Sequence, residues 1–201
     1  IGPAPLLQSL GIAVTHDLPG VGENLQDHLQ IRTIFGISGA ATLNERLSTW
    51  MGKAKVALEY ALKRSGPMSM APSQLGIFMR SDPRHQTPNI EFHVQPLSLD
   101  RFGEPMHPFD AFTASICNLR PTSRGSVTAK TPDPRQPPAI QPNYLATAED
   151  REVAVESVRL VRRVVAAPPL ARYRPEEYKP GPELTTDEDL SRAAAEISTT
   201  I

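Results

Sequence analysis

The chain has 201 residues, 39% of them hydrophobic and 21% charged, and 21 basic against 22 acidic side chains leave a formal net charge of −1. This is the composition of a globular protein. It holds no apolar run long enough for a membrane helix, no basic excess suited to nucleic acid, and in Cys117 no second thiol for an internal disulfide. Its 21 prolines, roughly twice ordinary usage, predict many turns and stiff connections.

The sequence opens at Ile1-Gly2-Pro3 with no initiator Met or basic-then-apolar leader, and it closes on the β-branched run Ser198-Thr199-Thr200-Ile201, which suits the start of a strand. Both ends read as cuts, so an internal piece of a longer protein is expected. The absence of targeting signals points to the cytoplasm.

A short helix is predicted around Pro5–Leu10, stopped by Gly11, followed by a turn-rich stretch from Asp17 to Asp27. Leu29–Ile37 alternates as a strand. Thr42-Leu43-Asn44-Glu45 matches a capping box. Leu43, Leu47, Trp50, Ala54, Leu58 and Ala61 then recur at spacings of three and four, predicting one helix whose Trp50 face is core. Ser65-Gly66-Pro67 ends it.

Further strands are predicted at Leu75–Arg80, Asn89–Gln95, Ala111–Leu119 and Gly125–Lys130. The last two, joined by the short connection Arg120–Arg124, are expected to pair as an antiparallel hairpin. Thr147-Ala148-Glu149-Asp150 is a second capping box, opening a helix with Ala154, Val158, Val161 and Val165 on one face. A third helix fits Asp187–Ile197, with Thr186 as its N-cap. The sum is an α+β fold, a mostly antiparallel sheet flanked by helices.

Three groups of residues bear on chemistry. In Asn89–Gln95 the period of two puts Ile90, Phe92 and Val94 on one face and Glu91, His93 and Gln95 on the other. A carboxylate, an imidazole and an amide in a row suit a polar cavity in which His93 exchanges or shares a proton. They equally suit a wet sheet face. In Asp17–His28, Gly20 and Gly22 permit backbone close to a phosphate or, more simply, a structural turn. The dinucleotide fingerprint, with its third glycine after a strand, is absent. Arg120–Gly125 reads as an anion-binding loop or a Pro/Gly turn. The remaining histidines show no metal-ligand spacing, and Cys117 sits in an apolar pattern as a small buried residue.

Four segments in order carry a resemblance: IGPAPLLQSLGI at the start, DLPGVGENLQDH at 17–28, LRPTSRGSVTAK at 119–130 and DPRQPPAIQPNYLATAEDRE at 133–152. Together they resemble the glucose-methanol-choline (GMC) family of flavin oxidoreductases, in particular its choline-dehydrogenase-like alcohol dehydrogenases. The resemblance implies oxidation of an alcohol to an aldehyde or ketone, with hydride passing to FAD and a histidine base beside the flavin.

It divides the chain into residues 1–28, the C-terminal part of a flavin-binding segment, and 29–201, a substrate-binding domain truncated before the catalytic-histidine motif. The family's N-terminal Gly-rich FAD fingerprint and that histidine motif both lie outside this sequence. No residue here inherits the catalytic-base role, and the isolated segment is expected to be inactive. The resemblance makes His93, Glu91, Gln95 and Gln74 candidate substrate contacts and Asn24, Gln26, Asp27 and His28 cofactor-proximal. Gln74 falls where choline-oxidising relatives place a carboxylate, so Ser73-Gln74-Leu75-Gly76 points to an aliphatic or aromatic alcohol instead. A small alcohol is the implied partner, with no nucleic acid and no transmembrane segment, and a homo-oligomer is among the assemblies the resemblance allows. The competing reading is a non-catalytic small-molecule binding module that uses the polar sheet face around His93.

Overall fold

A computed structural model of the chain describes residues 1–71, 73–101 and 103–201. In order, the elements are α1 (Ala4–Ser9), β1 (Leu29–Gly36), α2 (Leu43–Arg46), α3 (Trp50–Lys63), β2 (Leu75–Met79), β3 (Ile90–Gln95), β4 (Ala111–Asn118), β5 (Ser126–Thr128), β6 (Ala139–Gln141), α4 (Ala148–Val165), β7 (Glu176–Lys179), α5 (Asp187–Glu196) and β8 (Ser198–Thr200). They fall into two compact units: residues 1–28 with 121–151, and residues 29–120 with 152–201.

The larger unit is built on a six-stranded sheet in the order β2-β3-β4-β1-β7, with β8 also pairing β1. All of its pairings are antiparallel. β1 and β4 are buried along almost their whole length, which accounts for their content of Ile, Phe, Thr and Ala. Ile90, Phe92, Ala114, Ile116 and Phe35 turn one face of the sheet toward Val153, Leu160, Val161 and Val165 of α4. Phe35 and Phe112 stack across strands at 5.4 Å. Fully burying each Phe, Ile, Leu or Val contributes about 1.5–3 kcal/mol, so this seam is the main source of cohesion.

Arg162 ties α4 to the sheet edge. Its guanidinium donates from Nε and Nη2 to the two carboxylate oxygens of Glu177 in β7, each at 2.8 Å. It donates further to the carbonyls of Leu184 and Gly181. The α5 helix is capped by Thr186, whose Oγ1 accepts from the Asp189 amide at 3.1 Å, as the sequence predicts.

The predicted helix after Thr42 is two helices. Thr42 caps α2, accepting from the Asn44 amide at 3.3 Å. Three residues beyond α2, Thr49 caps α3 by accepting from the Gly52 amide at 3.1 Å. The Ser48 hydroxyl bonds back to the Glu45 carbonyl, a local alternative to continuing the helix. A Cβ at Gly52 would lie 2.2 Å from the Arg46 carbonyl oxygen, so the two short helices meet closely only because that side chain is missing. The expected buried Trp50 face is also corrected. Trp50 is 77% exposed, Leu58 is exposed, and Val56 is the buried residue of α3.

The smaller unit contains α1, the Asp17–His28 turns and the β5-β6 hairpin. The expected pairing of Ala111–Leu119 with Gly125–Lys130 does not form. Both edges of β4 are taken by β1 and β3, and β5 pairs β6 instead. In the intervening turn, Asp150 accepts from the amides of Thr122 and Ser123, both at 2.8 Å. Burial pushes this carboxyl up, but the combined hydrogen bonds from Ser123 and Thr122 outweigh it and hold Asp150 below the usual carboxylate range. The capping box is thus half realised. Thr147 Oγ1 accepts from the Asp150 amide at 3.2 Å, while the acid turns away to hold the 121–124 turn.

Candidate functional site

Register decides which side chains share a face of the large sheet, because residues directly opposite each other in antiparallel strands project to the same side. Ile77, Phe92, Ile116 and Ile31 form one cross-strand row, part of the apolar side. Offset by one residue, Gly76, His93, Ser115 and Arg32 form a row on the opposite side. Flanking it are Phe78, Glu91, Cys117, Gln30 and Thr199 in one row, and Gln95, Thr113, Ile34 and Lys179 in the other. One face of the sheet packs its aliphatic and aromatic side chains against α4; the other gathers Gln30, Arg32, Glu91, His93, Gln95, Thr113 and Ser115.

Much of that polar face is enclosed. Gln30, Arg32, Gln95, Thr113, Ser115 and Cys117 are buried, while Glu91 and His93 are half-buried. His93 Nε2 stands 3.4 Å from Glu91 Oε2. Thr113 Oγ1 donates to the Leu97 carbonyl at 2.8 Å, and Gln95 Nε2 donates to Ser73 Oγ at 3.2 Å. The Gln95 Oε1 and Ser115 Oγ atoms are enclosed without a hydrogen-bond partner among the described residues, which is costly unless something bonds to them.

Arg32 is 4% exposed, and burial lowers its pKa from the ordinary value; arginine nonetheless keeps its charge. Its side chain also lines a cavity of about 660 Å³ with Asp100, Arg101, Lys179, Glu196, Ser198 and Thr199. Within the cavity wall Lys179 donates to Asp100, and this bond, the largest influence, holds the Asp100 carboxyl below its usual range. The segment carrying Asp100 is fixed by Asn44, whose Nδ2 donates to Ser98 Oγ, the Ser98 carbonyl and the His107 carbonyl, and whose Oδ1 accepts from the Ser98 amide.

Of the residues expected from the sequence, Glu91, His93 and Gln95 come together on this face. Gln74 is exposed in the segment leading into β2, its amide donating to the Val94 carbonyl at 3.0 Å. Asn24, Gln26, Asp27 and His28 lie in the smaller unit. Asp27 accepts from the Tyr144 hydroxyl, and Asn24, Gln26 and His28 are exposed. Asn24 holds a left-handed turn at φ 59°. Gly22 is a packing residue: its carbonyl accepts from the Val127 amide at 2.7 Å, and a Cβ there would meet the Val127 carbonyl oxygen at 2.2 Å. Arg32, Ser115, Thr113 and Lys179 were not expected at the site. Only the pairing of strands far apart in sequence brings them beside His93, although Arg32 between Ile31 and Thr33 was a visible break in an apolar strand.

Residues 121–201 match a family model described as GMC oxidoreductase. The chain is 37% identical over 200 residues to an oxygen-dependent choline dehydrogenase of Serratia proteamaculans (strain 568), covering 100% of this chain and 36% of that protein. Against the protein of the same name from Pseudomonas putida (strain GB-1) it is 36% identical, covering 100% of this chain and 35% of that protein. The chain therefore spans about a third of the length of the curated relatives it matches. Among solved structures, formate oxidase of Aspergillus oryzae RIB40 superposes with a TM-score of 0.88 at 23% identity, covering 100% of this chain and 40% of that one. Pyridoxine 4-oxidase from Mesorbium loti does so with a TM-score of 0.78 at 24% identity, covering 100% and 35%. The sheet-and-helix architecture, the family model over residues 121–201 and the whole-chain relatives agree: this chain is similar to GMC oxidoreductases along its length.

Proposed function

We propose that this chain is a portion of an FAD-dependent oxidoreductase acting on the CH–OH group of alcohols, and that the polar face of its large sheet is the substrate-side wall. Residues 29–201 then belong to the substrate-binding domain and residues 1–28 to the end of a flavin-binding segment. The observation that carries the reading is the row Arg32–Ser115–His93, with buried polar groups on one face of an otherwise apolar sheet. The relatives named choline dehydrogenase support the reaction class.

FAD, when bound, would accept the hydride. The residues present fit a polar wall beside it: Ser115 Oγ and Gln95 Oε1 are buried hydrogen-bonding atoms without a partner among the described residues. Asn24, Gln26, Asp27 and His28 of the smaller unit would then lie near the cofactor, with Asp27 accepting from the Tyr144 hydroxyl.

On the substrate side, the His93 imidazole beside Glu91 can donate to or accept from an alcohol hydroxyl, with the carboxylate fixing the ring's orientation. Glu91 is thereby engaged, and Gln74 brings no charge, so a quaternary ammonium finds no unengaged carboxylate among these four candidate contacts. This favours a neutral aliphatic or aromatic alcohol.

The test is flavin reduction in the full-length protein. Under anaerobic conditions a neutral alcohol is expected to bleach the flavin band near 450 nm, and His93→Ala is expected to raise KM about tenfold or more with a smaller effect on kcat. A colourless protein, or a flavin that no alcohol reduces, refutes the proposal. Oxygen uptake against dye reduction then separates oxidase from dehydrogenase.

A further inference from the structure

The α3 helix is built the wrong way round for a helix of a globular protein. At about 100° per residue, Trp50, Ala61, Ala54, Leu58, Met51 and Leu62 fall within an arc of about 120°. All six are exposed, Leu62 at 74%. The opposite side holds the residues turned toward the protein: Val56 buried, and Gly52, Glu59 and Tyr60 half-buried. The 3-10 turn Pro67–Ser69 packs against α3 and adds exposed Met68 and Met70.

Charge accompanies the stripe. Lys53, Lys55 and Lys63, with Arg64 at the C-cap, are all exposed. The helix's one acid, Glu59, lies on the inward side and accepts from Ser65 Oγ at 3.4 Å. Lys55 borders the apolar arc on one edge; Lys53 and Arg64 border it on the other.

We propose that α3 is an interfacial helix that lies on an anionic lipid surface, its Trp50–Leu62 stripe in the headgroup layer and its flanking cations on the lipid phosphates and carboxylates. The combination of a charged border, Trp at one end and an apolar face is the chemistry such helices use. A second copy of the chain is the poorer occupant, because self-pairing through this stripe sets the three bordering cations, Lys53, Lys55 and Arg64, against their own copies. No helix among the described residues is long and apolar enough to cross a membrane, so the helix lies on the surface and does not span it.

The experiment is co-sedimentation of the full-length protein with phosphatidylcholine vesicles, either pure or containing about one-third phosphatidylserine. Salt-sensitive binding to the anionic vesicles alone is expected. Lys53→Ala/Lys55→Ala should lower partitioning about 25-fold, at about fivefold per cation. Trp50→Ser/Leu58→Ser/Leu62→Ser should lower it about tenfold or more while keeping the wild-type melting temperature, since all three side chains are exposed. Wild-type protein that ignores anionic vesicles overturns the proposal, as does a stripe variant that sediments like wild type. A wild-type dimer that the stripe variant converts to monomer assigns the face to a second copy and overturns it equally.

Discussion

Asp150→Asn perturbs one atom and is sharply constrained by the structure. The carboxylate accepts the Thr122 amide on Oδ1 and the Ser123 amide on Oδ2, both at 2.8 Å, with Thr122 Oγ1 adding a bond at 3.2 Å. An asparagine keeps one acceptor and places an NH2 against the other amide, leaving a buried donor unpaired. Orphaning such a group costs about 1–3 kcal/mol, and losing the charged acceptor raises the total to about 2–4 kcal/mol. Because folding lowers this carboxyl's pKa, the native state binds fewer protons than the unfolded chain below about pH 5. Its contribution is therefore fully present above the unfolded value of about 4 and is lost as pH falls through the folded value. Urea unfolding followed by circular dichroism should show a wide gap between wild type and variant at pH 7 that narrows toward pH 3. Faster amide exchange at residues 119–127 should accompany it. A gap that stays constant across that range, or a variant as stable as wild type at pH 7, would sink the argument.

Arg162→Met removes four charge-assisted bonds and strands the Glu177 carboxylate. About 2–4 kcal/mol is expected from the range for breaking a buried pair, reduced for partial exposure, and chemical denaturation reads it directly. Asn44→Ala should cost about 2–3 kcal/mol and loosen the 97–107 segment, visible as raised hydrogen exchange there ahead of global unfolding. Phe92→Ala, opening a cavity between β3 and α4, should destabilise by about 3–5 kcal/mol in the same denaturation assay.

Elements whose residues face one way and pack there were legible from periodicity and caps. Period two marked β1 and β3, and Thr186 marked the start of α5. The α3 stripe was read as core because a repeat of three and four says that a helix has an apolar side, not which way that side points. β7 (Glu-Glu-Tyr-Lys) had no apolar pattern to reveal it; it is a strand because β1 offers an edge. The misplaced hairpin at 111–130 has a similar origin, since the competition from β1, β3 and Asp150 comes from residues distant in sequence. The same limit governed the candidate site. The alternation within β3 exposed Glu91, His93 and Gln95, whereas Arg32 and Ser115 join them through pairings that no local pattern encodes.

The far edge of β1 is guarded in two halves: β7 covers Ile34–Gly36 and β8 covers Leu29–Ile31. Each guard is only three or four residues long, and the two are separated by α5. Such short strands hold by their anchors more than by their ladders, β7 through Glu177 and β8 through α5. Any event that lets go of an anchor uncovers one of the most deeply buried strands in the chain along an open hydrogen-bonding rim. That rim invites pairing between molecules. Aggregation in a weakened variant should therefore start at Leu29–Gly36, and the integrity of the 176–200 segment is what keeps the sheet to itself.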